Sequence, residues 1–280
     1  MATRDTGTSL RTSEPRRDRG AFTLVELLAV VAITALLLGL LIPALHRAKA
    51  LARQTVCQSQ LRQWGMAFGM YAGETDYYPH IDGLDRQGDN KPILAKDWAD
   101  HFGWVDMLPP LIGEKRWRDY GPREHPKSRT LFQCPAARLR PEQAYTYRPR
   151  RNGFFSYAMN SCLELDENCW HHPDDTQGPM PSFLKVSLVR APARVILLFD
   201  QLLDPEFGYN AARAYGNAGK HCGSYPKSFS ARHAKPGGAL GGLLLFCDYH
   251  VEWKASVWKS TWPEDLEVPP RDDPDWYPYP

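Results

Sequence analysis

The chain has 280 residues, with 34 Lys and Arg against 32 Asp and Glu and a formal net charge of +2. This balance excludes a nucleic-acid-binding polycation, and no nucleic-acid partner is expected. Charged residues make up 24% and hydrophobic ones 43%, so the chain can build a sizeable core and is not disordered along its length. A mean hydropathy of −0.48 excludes a polytopic membrane protein, because each span needs about 20 apolar residues.

One span is present. From Leu27 to Leu45 there are 19 residues without a charge, and only Thr34 carries a polar side chain. At about 1.5 Å per residue such a helix covers about 28 Å, close to the hydrocarbon core of a bilayer. A cleaved secretory signal is the main rival reading, but its apolar region is shorter, about 7–15 residues, and ends at a small-residue cleavage site. Here HRAKALARQ follows and continues a helical pattern. Arg11, Arg16, Arg17 and Arg19 precede the span and Arg47, Lys49 and Arg53 follow it, so the charge asymmetry that orients a span is slight. Glu26 stands at the head of the apolar run, where an ionised carboxylate demands a partner; the bland alternative is solvation among headgroups.

Beyond the span, apolar residues at Ala48, Leu51, Ala52, Cys57, Leu61, Trp64, Ala67, Phe68 and Tyr71 recur mostly at steps of three or four, which marks an amphipathic helix. Pro43 is expected to kink the helix as it leaves the membrane, since it removes one backbone hydrogen bond and clashes with the preceding turn. Gly65 and Gly69 are expected to weaken the helix end, and Tyr77-Tyr78-Pro79 to stop it. A helix from Leu24 to Tyr71, roughly 48 residues, is about 72 Å long.

The basic leader, Phe22-Thr23-Leu24-Val25-Glu26-Leu27-Leu28 and the long apolar helix resemble the N-terminus shared by type IV pilins and type II secretion pseudopilins. In that family a membrane-embedded prepilin peptidase cuts before the phenylalanine and methylates the new amine. A glutamate five residues in then neutralises the amine during filament assembly. The resemblance thus makes Gly20, Ala21 and Phe22 the processing site and Phe22 and Glu26 the assembly pair. Cleavage after Ala21 keeps Glu26 fifth and puts Pro43 22nd; cleavage after Gly20, the family's usual residue at that place, makes Glu26 sixth. The cut after Ala21 is favoured. Physically, pairing Glu26 of an incoming subunit with the amine of Phe22 on its neighbour offsets the desolvation of both charges, which makes the pair a register check.

Further motifs resemble a pseudopilin-like subgroup: the helix ending in Tyr-Pro, LFQCP (Leu131 to Pro135), FSYAMN (Phe155 to Asn160), the Pro-x-Arg turn within FLKVSLVRAPARVILLFD (Phe183 to Asp200), and RHAKPGGALGGLLLFCDYHVEW (Arg232 to Trp253). The last resembles the prepilin-type processing-associated His-X9-Asp-Gly region and marks His233, Asp248 and His250 as its structural motif. It departs from the pattern twice, with 14 residues between His233 and Asp248 and Tyr249 in place of the glycine. Left-handed backbone at Tyr249 costs roughly 1–2 kcal/mol, so a longer loop is expected between strands LLLFC and VEW. Gly237, Gly238, Gly241 and Gly242 do not make a P-loop, because no Gly-Lys-Ser/Thr ending and no helix follow.

Of the six cysteines, disulfides are the default use in a domain delivered outside the cytoplasm. Six permit 15 connectivities; the favoured pairs are Cys57 with Cys134 and Cys162 with Cys169, and Cys247 reads as a buried apolar residue. A zinc cluster of Cys162, Cys169, His171 and His172 is disfavoured by its cysteine spacing, and no cofactor or metal is expected. Trp98, Trp104 and Trp117 in the Trp- and Pro-rich insertion read as core sooner than as a sugar-stacking platform. The cluster Arg138, Arg140, Arg148, Arg150 and Arg151 reads as a solvated or subunit-pairing face. The acidic, Pro-rich tail from Glu264 is expected to be mobile or draped on the head.

The expectation is an α+β, pilin-like chain whose long N-terminal helix packs on a mainly antiparallel sheet head with long loop insertions. Its parts are a cytoplasmic leader (1–21), a transmembrane half-helix (22–45), an amphipathic half-helix (46–76), a globular head (77–258) and a tail (259–280). The resemblance implies a non-enzymatic structural subunit of the bacterial inner membrane, single-pass with its head in the periplasm, that moves to a surface filament. Its partners are prepilin peptidase, the inner-membrane assembly platform and other pilin-like subunits. The rival classes are a membrane-anchored binding module, for example for polysaccharide, and a metal-dependent enzyme.

Overall fold

The computed structural model of the chain describes residues 23–79, 103–119, 130–137, 155–160, 163, 185–203, 222–223, 229–235, 237–256 and 276. Helix α1 runs from Leu24 to Thr75, four residues beyond the end expected at Tyr71, and Pro43 lies inside it. The helix divides between two compact units whose boundary falls between Ala48 and Lys49.

In the first unit every described side chain is exposed. Leu24, Val25, Leu36 and Leu40 each present more than two-thirds of their surface, the state of a helix with no protein partner around it. Among the described residues α1 is the one helix long and apolar enough, by length and composition, to cross a membrane.

In the second unit the helix turns amphipathic. Cys57, Leu61, Trp64, Ala67 and Phe68 are completely buried, a stripe at steps of three and four that faces a five-stranded sheet. The strands are β1 (Tyr157–Asn160), β2 (Ile196–Asp200), β3 (Cys222–Gly223), β4 (Gly241–Phe246) and β5 (Val251–Ala255), in the spatial order β3-β1-β2-β4-β5. Pairs β1–β2, β2–β4 and β4–β5 are antiparallel, and the short β3 lies parallel to β1 at the edge. Alternation sorts the side chains onto two faces. Tyr157, Met159, Leu243 and Leu245 join the helix stripe, whereas Ala158, Ile196, Phe199, Leu244 and Phe246 form a second cluster with Phe229 and Trp276. Both faces of the central strands are therefore covered, which is why ILLFD and LLLF are near-continuous apolar runs. Trp276, the described residue of the tail, meets Phe199 edge-on with ring centres 4.9 Å apart.

The expectation that Gly65 and Gly69 only weaken the helix is corrected. A Cβ on Gly65 would lie 3.3 Å from the Tyr249 carbonyl oxygen, and one on Gly69 would lie 3.3 Å from the Tyr249 ring. The two glycines form a saddle that lets the β4–β5 turn sit against α1. The longer loop expected there is also replaced. Cys247 to His250 make a four-residue turn closed by the Tyr249 N–H to the Phe246 carbonyl at 2.9 Å, and Tyr249 does take positive φ, at 70°. Packing of its half-buried ring on the glycine saddle holds it in that conformation.

Candidate functional site

At the head of α1, Thr23 and Glu26 form a reciprocal cap. The Thr23 N–H and hydroxyl both donate to Glu26 Oε2 at 2.9 Å, and the Glu26 N–H donates to Thr23 Oγ1 at 3.3 Å. This is the capping-box arrangement of Thr-x-x-Glu, which satisfies donors that the first helical turn otherwise leaves open. Glu26 thus has a local partner as well as its place at the start of an exposed apolar helix. Phe22, Gly20 and Ala21 lie outside the described residues.

A second constellation is buried where α1, the 130–137 segment and the sheet meet. A disulfide joins Cys57 on α1 to Cys134. Gln60, one turn along the helix, donates from Nε2 to the Thr130 carbonyl at 2.9 Å and the Gln133 carbonyl at 3.1 Å, and its Oε1 accepts the Tyr157 hydroxyl at 2.8 Å. Trp64 Nε1 donates to the Leu131 carbonyl at 3.2 Å. The Cys-Pro segment is therefore fastened to the helix by one covalent and three polar links. Behind it stands His233, whose Nε2 is 3.4 Å from Cys134 Sγ and 3.4 Å from Asp200 Oδ2. Asp200 ends β2 and is completely buried; its Oδ2 also accepts the Leu243 N–H at 2.8 Å. Arg232 lies beside this group, donating from Nε to Ser230 Oγ at 2.8 Å and from its guanidinium to the Gln201 carbonyl.

Burial sets the protonation of the group. It depresses the His233 imidazole below its ordinary value, opposed by the Asp200 carboxylate and aided by Arg232. It also pushes the Tyr157 phenol well above its ordinary range, with Asp200 adding to the shift and Arg232 opposing it. His233 is thus held between the Asp200 carboxyl group and the Cys134 sulfur.

The residues grouped by sequence as His233, Asp248 and His250 separate. His233 joins the buried cluster, whereas Asp248 pairs with His250 in the β4–β5 turn, where the imidazole stacks on Phe246 at 4.4 Å. Cys247, the free cysteine among the described residues, is buried, and burial pushes its thiol up to about 12. Trp104 and Trp117 are core: Trp104 meets Trp64 edge-on at 4.7 Å and Trp117 packs on Phe155 at 4.3 Å. Neither offers a face for a sugar. Trp98, the Arg138–Arg151 cluster, Cys162, Cys169, His171 and His172 fall outside the described residues.

Residues 16–42 match the prokaryotic N-terminal methylation motif. The match lies at the head of α1 and supports a type IV pilin-like protein. No curated protein and no solved structure matches it. The motif covers the capped, exposed part of α1, consistent with membrane anchoring by that helix. Two features of the structure were missed in the sequence. The capping role of Thr23 was signalled by Thr-x-x-Glu. The grouping of Asp200 and His233 with Cys134 carries no local signal, because those residues come from three distant segments.

Proposed function

We propose that the chain is a pilin or pseudopilin subunit, cut by prepilin peptidase before Phe22, methylated on the new amine and assembled into a type II secretion or type IV pilus-like filament. The observation that carries this reading is the methylation motif at the head of a helix whose described side chains are all exposed as far as Arg53. A contiguous apolar surface of that extent requires lipid or other helices as its solvent. The helix serves first as the inner-membrane anchor, with the head in the periplasm, and then as filament core, where the same side chains pack on neighbouring copies.

Glu26 selects the register of that packing. Both Thr23 bonds go to Oε2, leaving Oε1 to accept from the amine of Phe22 on a neighbouring subunit. A subunit placed out of register leaves one buried cation and one buried carboxylate without each other, a costly arrangement in a low-dielectric filament core. The chain acts by assembly, and the head is what each copy displays.

Intact-mass measurement and N-terminal sequencing of the full chain, expressed with and without a prepilin peptidase, test the processing step. The expected product starts at methylated Phe22; a chain left uncut by an active peptidase refutes the proposal. Glu26→Ala is expected to be processed yet to be absent from sheared filaments, and its undiminished incorporation would refute the register role.

A further inference from the structure

The Cys57–Cys134 disulfide lies against a buried imidazole that a disulfide does not need, and that imidazole lies against a buried carboxyl group. The sulfurs of Cys57 and Cys134 and a ring nitrogen of His233 all lie within 4.8 Å of one another, and all three residues are buried. Against the same ring nitrogen, 3.4 Å away through its Oδ2, stands Asp200, completely buried, whose Oδ1 has no hydrogen-bond partner among the described residues. Two thiol groups, an imidazole and a carboxylate are a zinc-type donor set, soft enough in sulfur to select zinc over calcium or magnesium. Two of the distances suit such a site, and the two sulfurs, now bonded, part on reduction. With zinc–sulfur bonds of about 2.3 Å and zinc–nitrogen or –oxygen bonds of about 2.0–2.1 Å, the edges of a tetrahedral site are about 3.3–3.8 Å. His233 Nε2 stands 3.4 Å from Cys134 Sγ and 3.4 Å from Asp200 Oδ2.

We propose that Cys57, Cys134, His233 and Asp200 form a redox-gated zinc site: oxidised, the two cysteines close the disulfide; reduced, the four residues hold one Zn²⁺. A dithiol donor supplies two electrons and two protons, the sulfur–sulfur bond breaks to give two thiols, and the donor leaves as its own disulfide. Zinc binding then releases two thiol protons to solvent while Cys57 and Cys134 coordinate as thiolates. His233 supplies its Nε2 lone pair, and Asp200 supplies the fourth ligand. Two thiolates, a carboxylate and Zn²⁺ sum to one negative charge, and the Arg232 guanidinium in the same cluster balances it. The four ligands come from α1, the Cys-Pro segment, the end of β2 and the residues before β4. The metal therefore replaces one cross-link between helix and head with a wider one, keeping the head fastened to α1 when the disulfide is open.

The test is a titration of the full detergent-solubilised chain with Co²⁺ as the zinc probe, before and after treatment with dithiothreitol followed by anaerobic desalting. The reduced chain is expected to bind one Co²⁺ with tetrahedral d–d bands and thiolate charge-transfer absorption, displaced by Zn²⁺, and the oxidised chain to show neither. His233→Gln and the Cys57→Ala, Cys134→Ala pair are expected to weaken binding by more than about tenfold. Binding that survives in both variants belongs to the other cysteines and overturns the proposal. Near-UV circular dichroism provides the folding control. A reduced chain that stays folded but binds no Co²⁺, or one that unfolds and is not restored by a stoichiometric amount of Zn²⁺, also overturns it.

Discussion

Removing the Cys57–Cys134 bond by Cys57→Ala, Cys134→Ala isolates the covalent link between α1 and the Cys-Pro segment. The bond joins residues 77 apart in sequence. In the chain-entropy treatment, releasing a loop of that length returns about 15 cal/mol/K to the unfolded chain, worth about 4.5 kcal/mol at 25 °C. The unit from Lys49 to Pro280, about 230 residues, unfolds with an entropy of about 2.1 cal/mol/K per residue, so the melting temperature is expected to fall by about 9 °C. The polar links from Gln60 and Trp64 remain in the variant, so the native state should keep its near-UV circular dichroism. The assay is thermal unfolding of the full chain in detergent with EDTA present, comparing the oxidised wild type with the double variant and each single variant. Both single variants break the same bond, and their effects should not add. A drop of under about 2 °C in the double variant would refute the reasoning, since it would mean that the cross-link does not restrict the unfolded chain.

Gly242→Ala is expected to destabilise the head by about 2–3 kcal/mol or more in urea unfolding, because its new Cβ would sit 2.7 Å from the Ser230 carbonyl oxygen and 2.7 Å from the Phe229 ring. At Gly69 the nearest neighbour is the movable Tyr249 ring at 3.3 Å; there a gain in helix propensity of up to about 1 kcal/mol offsets the contact, and Gly69→Ala should be near neutral. Acid should weaken the head through His233. Its folded value lies below the ordinary 6.5, so the unfolded chain binds the proton first, and this contribution is fully present above pH 6.5 and lost as pH falls toward the folded value. His233→Gln should therefore show a shallower loss below pH 6.5, by up to about 1.4 kcal/mol per pH unit; parallel pH profiles would rule this out.

The sequence alone determined the long apolar helix and most of the elements. A 19-residue uncharged run, the Phe22–Glu26 motif and the three-to-four spacing from Ala48 to Tyr71 are local patterns, and local patterns survive without knowledge of the rest of the fold. Strands β4 and β5 were legible as LLLFC and VEW around Asp248-Tyr249-His250, whereas β1 and β2 were marked by the resemblance of FSYAMN and of the Pro-x-Arg element. Tertiary structure decided what those patterns are for. Gly65 and Gly69 look like helix-weakening residues until the Tyr249 turn is packed on them. The strain at Tyr249 argues for a loop until that packing is seen to offset it. Trp104, with no pattern around it, proves to be an edge-on partner of Trp64, 40 residues away in sequence. The cluster of Cys57, Cys134, Asp200 and His233 carries no spacing rule at all. Its members meet because α1, the Cys-Pro segment and the sheet each bury one apolar face on the same core, and that burial brings their polar residues together out of reach of water.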